Sequence, residues 1–320
     1  MAYTLKWRFP TDLDLDQVPL VGRGQVLLRA TWVLQGLDPA EGRLIWTYKS
    51  SPYPQQISWS LLTGQDLVLA EGQPGRWTIR ALDSEGKRRW DLDLRAHQVE
   101  GAAAEGLLWL LAGGEERENL LRRVDAEGDL TGCWPIPAGA QSLCLGPAGP
   151  IFSVPGDGVY RFHTTEQRLE RLWTGTVDSV VQQGKHILLR GKKAELWVLD
   201  AEGRLCWSRK KVGKLPYIHD AVYAVIEDQG RWRPSCLELA DGAVRWTIDL
   251  ERVRADWEVK RLGAAVAAHG IGAVFLLDPE NGALRQRLEG SYYGVSAAGL
   301  SGELLAMAQP DSVDCYTEVA

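Results

Sequence analysis

Five histidines are the side chains in this sequence best suited to acid–base chemistry near neutral pH. They are spread along the chain, at His97, His163, His186, His219 and His269. No His-x-x-x-His pair, Gly-x-Ser-x-Gly nucleophile motif or phosphate-binding glycine loop accompanies them. An active site is recognised from several groups in a mutual arrangement rather than from one residue. We therefore interpret the histidines as surface or structural residues and predict no catalytic residue.

Residues that could bind a metal lack a diagnostic spacing. The five cysteines contain no Cys-x-x-Cys pair, and their odd number argues against a disulfide framework. A run of alternating acids at Asp12, Asp14 and Asp16 is similar to the start of a calcium loop. However, Gln17 stands where that loop needs glycine, and Arg23 stands where it needs glutamate. We interpret the run as a solvated loop and predict neither a metal nor a cofactor.

Charge is unevenly distributed, although the formal net charge is only −6. A basic sector could meet an acidic protein patch or a nucleic-acid backbone, or it could be a solvated edge whose lysines prevent strand pairing. The mild net charge argues against wrapping of nucleic acid, so a protein partner is favoured. The sector consists of Lys185, Arg190, Lys192, Lys193, Arg204, Arg209, Lys210, Lys211, Lys214, Arg231 and Arg233.

A repeated hairpin is the strongest pattern in the sequence, and it is the element that must position any site. One copy runs from Asp200 through a turn ending at Gly203 to Trp207. The aspartate can bond backbone two residues further on, and glycine accepts a positive φ. The other copies are Asp38, Gly42 and Trp46; Asp83, Gly86 and Trp90; Asp125, Gly128 and Trp134; Glu238, Gly242 and Trp246; and Asp278, Gly282 and Gln286, with a degenerate copy from Phe162 to Trp173.

The spacing of these copies predicts a closed ring of eight units. Counting Trp7, the marker positions are 34–44 residues apart and fill the 320 residues. The chain opens with a second hairpin strand and ends with a first one, as expected if the last unit joins the two termini. We predict an all-β, eight-bladed β-propeller of four-stranded antiparallel blades, a single domain over residues 1–320. Residues 3–9 should pair with residues 312–317 and close the ring.

The repeated tryptophan is predicted to pack between neighbouring blades. A single four-stranded sheet has little core, so each blade must bury a face against the next. A fully buried tryptophan contributes about 2–3 kcal/mol to this packing. The predicted docking residues are Trp7, Trp46, Trp90, Trp134, Trp173, Trp207 and Trp246.

The hairpin pattern Ala-x-Asp-x-x-x-Gly-x-x-x-Trp, seen at Ala81, Asp83, Gly86 and Trp90, resembles the PQQ-like propeller repeat. The resemblance covers nearly the whole chain and implies the quinoprotein alcohol dehydrogenase-like fold. The family includes quinone-dependent dehydrogenases, a lipoprotein of outer-membrane protein assembly, and propellers with binding roles. The dehydrogenases of this family hold a metal with Glu, Asn and Asp and often carry an adjacent cysteine pair. This chain has no such cysteine pair and only two asparagines, so the cofactor residues do not carry over.

These observations favour a non-catalytic propeller that acts as a protein–protein interaction scaffold, one subunit of a larger cytosolic, bacterial-type assembly. The alternative is a propeller that binds a small molecule or carbohydrate at its channel mouth, and a quinoprotein-like enzyme comes third. No apolar run approaches membrane-spanning length, so no membrane partner is expected. The oligomeric state stays open.

Partner binding is predicted on the face that carries the connections from each outermost strand to the next inner strand. Residues 50–56 and 210–217 form the two longest predicted connections. Aromatic residues in such loops are frequent interface anchors, although they could instead pack locally over the inner strands. The predicted binding residues are Tyr53, Lys210, Lys211, Tyr217, Trp257, Tyr292 and Tyr293.

Overall fold

The computed structural model describes residues 2–11, 13, 19–22, 24–50, 56–63, 66–104, 106–113, 119–213, 216–251, 253–270, 273–289, 294–298, 304–309 and 312–319. The regular elements in these ranges are β-strands. The first sixteen are β1 (Ala2–Pro10), β2 (Leu20–Gly22), β3 (Gln25–Ala30), β4 (Val33–Leu37), β5 (Leu44–Lys49), β6 (Gln56–Thr63), β7 (Asp66–Gln73), β8 (Arg76–Leu82), β9 (Arg88–Leu94), β10 (Gln98–Ala104), β11 (Leu107–Gly113), β12 (Asn119–Val124), β13 (Leu130–Ile136), β14 (Gln141–Gly146), β15 (Gly149–Val154) and β16 (Gly158–His163). The others are β17 (Arg168–Thr174), β18 (Ser179–Gln183), β19 (His186–Gly191), β20 (Glu195–Leu199), β21 (Leu205–Arg209), β22 (Tyr217–Ile218), β23 (Val222–Asp228), β24 (Arg231–Leu237), β25 (Val244–Thr247), β26 (Glu258–Leu262), β27 (Ala265–Gly270), β28 (Ala273–Leu277), β29 (Leu284–Glu289), β30 (Gly294–Ala298), β31 (Leu304–Ala308) and β32 (Ser312–Val319).

These strands form eight four-stranded antiparallel sheets, which are the blades of an eight-bladed β-propeller. Blade one holds β2 to β5, blade two β6 to β9, and the blades continue in chain order to blade seven, β26 to β29. Blade eight joins β30, β31 and β32 to β1. The fold class predicted from the repeat is therefore confirmed. No helix in the described part of the chain has the length and hydropathy that crossing a bilayer requires.

Closure by the chain termini is also confirmed. Strand β1 pairs antiparallel with β32, with Tyr3 opposite Glu318 and Phe9 opposite Val313. The Arg8 guanidinium binds the Asp314 carboxylate through two hydrogen bonds of 2.6 and 2.8 Å. Because Asp314 is fully buried, this bidentate pair ties the first strand to the last with a charge-assisted contact.

The strands group into two compact units. One comprises Met1–Lys49 and Arg209–Ala320, which hold blades six, seven, eight and one, and the other is Ser50–Ser208, which holds blades two to five. In the first unit, Trp257 and Phe275 belong to a core shared by blades six and seven. In the second, Trp109 and Phe162 belong to a core shared by blades three and four. The assignment of residues 1–320 to a single domain stays a prediction.

Within the first unit, tryptophans of the repeat dock onto the hairpin turn of the following blade. The Trp7 indole donates to the Pro39 carbonyl at 3.0 Å, and its ring lies over Gly42. A Cβ on Gly42 would stand 2.6 Å from the Trp7 ring. Trp246 repeats this arrangement with the Pro279 carbonyl at 2.8 Å and with Gly282. The glycine therefore serves two purposes, a positive φ in the turn and space for the ring of the preceding blade.

Within the second unit, Trp90 makes the same contact with blade three. Its indole donates to the Ala126 carbonyl at 3.0 Å, and its ring lies over Gly128, although the side chain is half-buried rather than buried. Trp134, two residues late in the repeat, packs on Phe162 of blade four with ring centroids 4.8 Å apart. A tryptophan of the repeat therefore still packs on the following blade when the hairpin spacing changes.

Two predicted docking tryptophans have other neighbours. The Trp46 indole donates to Gln25 Oε1 at 3.1 Å within its own blade, where the ring covers Gly36. In blade four a bulge shifts the register of β17, so Leu172 takes the place over Gly203. Trp173 instead packs against Trp197 of blade five, with centroids 5.5 Å apart.

Candidate functional site

Trp257, predicted as a partner-binding residue, lies in the core instead. Its side chain is 4% exposed and stacks on Phe275 with centroids 5.7 Å apart. The ring fills the space over Gly270, where a Cβ would come within 2.1 Å of the indole nitrogen. Local packing over the second and third strands of blade seven therefore accounts for this aromatic, and it offers no surface to a partner.

Within the predicted loop at 210–217, residues 211–213 continue the inner edge of blade six. Val212 forms an antiparallel bridge with Ile226, and the Gly213 amide donates to the Val225 carbonyl at 2.8 Å. Lys211 has a positive φ of 62° and pairs with Glu227, Nζ to Oε1 2.7 Å. Strand β23 therefore holds Val212 and Gly213, and the Lys211 ammonium is engaged in an ion pair.

The other predicted binding residues fall into two groups. Lys210 is exposed, and Tyr217 is half-buried against the core that blades six and seven share. Tyr53, Tyr292 and Tyr293, together with Lys214 of the basic sector, lie outside the described residues. Of the four described residues, Trp257 is buried and Lys211 is ion-paired, so the grouping of all seven into one site stays a prediction.

Blade six carries an open groove on the face where partner binding was predicted. In an up-and-down sheet, the turn between the second and third strands emerges at the same end as the exit of the fourth strand. Residues 230–232, at the turn from β23 to β24, form one wall of the groove. Residues 249–251 and Val253, in the connection that leaves β25, form the other wall. The groove has a volume of about 520 Å³.

Apolar side chains form the floor of this groove and charged ones its rim. Trp232, Leu250 and Val253 are half-buried and pack against the core of blades six and seven. On the rim, the Arg231 guanidinium lies 3.3 Å from the Asp249 carboxylate. The Glu251 carboxylate is exposed and has no hydrogen-bond or ion-pair partner among the described residues.

Blade two shows why the groove exists in blade six. Both blades carry Gly-Arg-Trp at the turn between their second and third strands, ending at Trp77 in blade two and Trp232 in blade six. In blade two the Gly75 amide donates to the Ala96 carbonyl at 2.8 Å and closes the space, leaving Trp77 8% exposed. There, three residues, 95–97, connect β9 to β10, whereas ten residues, 248–257, connect β25 to β26. Residues of the longer connection line the groove together with the turn, and Trp232 stays half-buried.

The sequence contains a signal for this groove outside the hairpin repeat. The Gly-Arg-Trp triplet occurs at 75–77 and again at 230–232. The connection at 248–257 is also longer than either of the connections predicted to be longest, at 50–56 and 210–217. A duplicated aromatic next to an extended connection marks a blade whose end is not closed by its own backbone.

Three of the histidines contact carboxylates of their own blades. His163 Nε2 lies 2.8 Å from Glu170, His219 Nδ1 lies 3.3 Å from Asp220, and His269 Nε2 lies 3.6 Å from Glu258. Asp220 also accepts a hydrogen bond from the Tyr223 hydroxyl at 2.8 Å. Burial of the Tyr223 side chain and this hydrogen bond raise the pKa of its phenol. Within the described ranges, His, Cys, Asp and Glu side chains form no cluster of three suited to a metal ion.

The eight sheets, the closure by strand pairing and the acidic-turn hairpins define a β-propeller built from PQQ-like repeats. The chain belongs to the family described as outer membrane protein assembly factor BamB, whose profile matches residues 4–109 and 156–292. A comparison with curated proteins gives no match to the sequence.

Two solved structures show how widely this fold is shared. The crystal structure of BamB from Moraxella catarrhalis is 14% identical, aligns over 99% of this chain and 100% of that chain, and gives a TM-score of 0.69. The computationally designed Ika8 protein is 11% identical, aligns over 94% and 95% of the two chains, and gives a TM-score of 0.72. At these identities the similarity shows the fold alone.

Proposed function

We propose that this protein is a non-catalytic interaction scaffold, one subunit of a larger protein assembly. The observation that carries the proposal is the family match over residues 4–109 and 156–292, since the family is described by a role in assembly. The architecture supports it, because repeated interblade contacts such as Trp7 to Gly42 and Trp246 to Gly282 hold blades in fixed positions. A fixed blade end with an open groove gives a partner a pre-organised surface.

Isolation of the complex from its native source tests this proposal. The chain would be tagged at its own locus, crosslinked at low concentration of reagent, and purified, and each co-purifying protein would then be tagged for the reciprocal experiment. We expect a partner in a fixed stoichiometry and an apparent mass well above the 35.5 kDa of the chain. A chain that migrates as a free monomer in native extract, with no reciprocal partner, would contradict the proposal.

The compartment is a separate question. From the sequence we predict the cytosol, whereas the family description names the outer membrane. Fractionation of native cells, with the chain at its natural expression level, distinguishes the two. Recovery with the outer-membrane fraction would overturn the cytosolic prediction and leave the scaffold proposal intact, because assembly can occur in either compartment.

A quinoprotein activity is the competing class of function, and it has a direct test. The purified chain would be incubated with pyrroloquinoline quinone and calcium, and dye-linked oxidation of alcohols and sugars would be measured. We expect no turnover above that of the free cofactor. Saturable turnover that depends on the protein would replace the scaffold proposal with an enzymatic one.

A further inference from the structure

We propose that the groove on blade six binds an extended peptide segment of a partner protein, with an apolar side chain of the segment on Trp232 and an adjacent Lys or Arg beside Glu251. The inference rests on the proposed scaffold function and names the chemistry of its partner. It concerns a single blade and the connection that leaves it, all within the first unit of the chain.

The side chains at the floor of the groove favour an occupant with an apolar side chain. Trp232, Leu250 and Val253 present carbon-rich surface that water now covers in part. An apolar side chain laid on this floor would remove that surface from water, which is the main source of affinity at protein interfaces. Tryptophan supplies a large contact area at a small loss of side-chain entropy and is enriched among the residues that dominate binding energy.

The charges at the rim of the groove favour an occupant that carries a cationic side chain. Asp249 already has a partner, since the Arg231 guanidinium lies 3.3 Å and the Arg233 guanidinium 3.6 Å from its carboxylate. Glu251 has no partner among the described residues, so a negative charge remains available next to an apolar floor. A lysine or arginine of the occupant complements this charge, and the guanidinium or ammonium group can also lie over the indole face.

The shape of the groove favours a peptide over a sugar or a small metabolite. Small-ligand sites enclose most of the ligand surface and direct several polar groups at it. This groove is partly open to solvent, and the side chains of Leu250 and Val253 cannot form hydrogen bonds with hydroxyl groups. A peptide needs one apolar pocket and one charge per few residues and can remain exposed on its other side.

Fluorine NMR with 5-fluorotryptophan tests the proposal on the intact protein. The chain has fourteen tryptophans, and the resonance lost in Trp232→Phe identifies Trp232. Three probes would be titrated, the blocked peptides Ser-Leu-Arg-Leu-Ser, Ser-Leu-Glu-Leu-Ser and Ser-Ser-Arg-Ser-Ser. We expect a saturable shift of the Trp232 resonance with the first peptide, and binding of the other two at least about tenfold weaker.

Trp77 provides the internal control, because it occupies the equivalent position in blade two but is 8% exposed beneath a closed backbone. Its resonance, identified with Trp77→Phe, should not shift with any probe. Glu251→Gln should weaken the arginine peptide by about tenfold and abolish the preference over the glutamate peptide. Glu85→Gln, at an exposed carboxylate of blade two, should change neither.

Several results would overturn the inference. These are the absence of any Trp232 shift, equal affinity for the arginine and glutamate peptides, or a Trp232 shift produced by maltotriose and not by the peptides. The double variant Leu250→Ser with Glu251→Gln separates this inference from the scaffold proposal. If that variant still recovers the native partner in full, the groove is not the docking site while the scaffold function stands. If neither protein recovers a partner, the scaffold proposal itself fails.

Discussion

The side-chain amide of Gln286 forms two hydrogen bonds of 2.8 Å with the backbone of Tyr3, one accepted from its N–H and one donated to its C=O. Gln286 occupies the repeat position where other blades carry tryptophan. The following blade is the one closed by the chain termini, so it has ends of β32 and β1 in place of a hairpin turn. A tryptophan would find no turn glycine there, whereas an amide pairs with strand backbone.

Substitution of Gln286 by Ala should therefore loosen the N-terminal strand. Two part-buried backbone groups of Tyr3 lose their partner, which we expect to lower the free energy of unfolding by about 1–3 kcal/mol. Hydrogen exchange should show faster exchange of the Tyr3 amide, with little change in blades three and four. Gln286→Trp, which restores the repeat, should not recover stability. Full recovery by Trp would refute the role assigned to the missing turn.

Deletion of residues 1–9 should leave an aggregating protein. The truncation exposes the edge of β32 and leaves Asp314, which is fully buried, without its ion pair to Arg8. The milder Arg8→Met keeps the strand, and we expect it to lower the free energy of unfolding by about 1–3 kcal/mol. Thermal melting and light scattering provide the measurements. An unchanged melting temperature after truncation would show that closure does not support the fold.

Gly42 and Gly24 form a matched pair for testing interblade docking. Their φ angles are 71° and 68°, but a Cβ on Gly42 would meet the Trp7 ring at 2.6 Å, while a Cβ on Gly24 would have no neighbour within 4 Å. Gly24→Ala should lower the free energy of unfolding by about 1–2 kcal/mol, from backbone conformation alone. Gly42→Ala should lower the free energy of unfolding by the same backbone cost and by about 1–3 kcal/mol more, because the new Cβ displaces the Trp7 ring. Equal effects in urea unfolding would show that the docking contact contributes no stability.

The acidic residue of the repeat turn should make stability depend on pH. A hydrogen bond from the Arg285 side chain, together with amide donors in the turn such as Glu280 N–H at 2.8 Å, holds the pKa of Asp278 below its ordinary value of 3.8. A carboxyl with a lowered folded-state pKa stabilises the fold above its unfolded pKa and loses that contribution as pH falls through the folded pKa. Urea unfolding should therefore find Asp278→Asn less stable than the parent at pH 7, with the difference shrinking below about pH 4. A difference that stays constant across this range would exclude the carboxylate as its source.

The ion pairs of the basic sector could not be predicted from the sequence. Lys211 and Arg204 belong to the predicted basic sector, yet each forms an ion pair, Lys211 with Glu227 and Arg204 with Asp200. Arg233 likewise lies 2.5 Å from Asp228. Charge content can be read from a sequence, but the pairing of charges depends on which strands and turns lie side by side. The accessibility of Trp232 in the groove on blade six likewise depends on the connection beside it, since its equivalent Trp77 lies next to a short connection and is buried.

The sequence by itself determined the number of blades, the closing pair of strands and the acidic turn, because all three depend on local chemistry repeated at a fixed interval. Asp200, for example, accepts hydrogen bonds from the Glu202 and Arg204 amides wherever that turn lies in the fold. Tertiary structure alone decided that Trp257 is core and Trp232 is accessible, and that Leu172 rather than Trp173 covers Gly203. Exposure is set by contacts between segments far apart in the chain and by a single-residue bulge that reverses which side chains face the neighbouring blade.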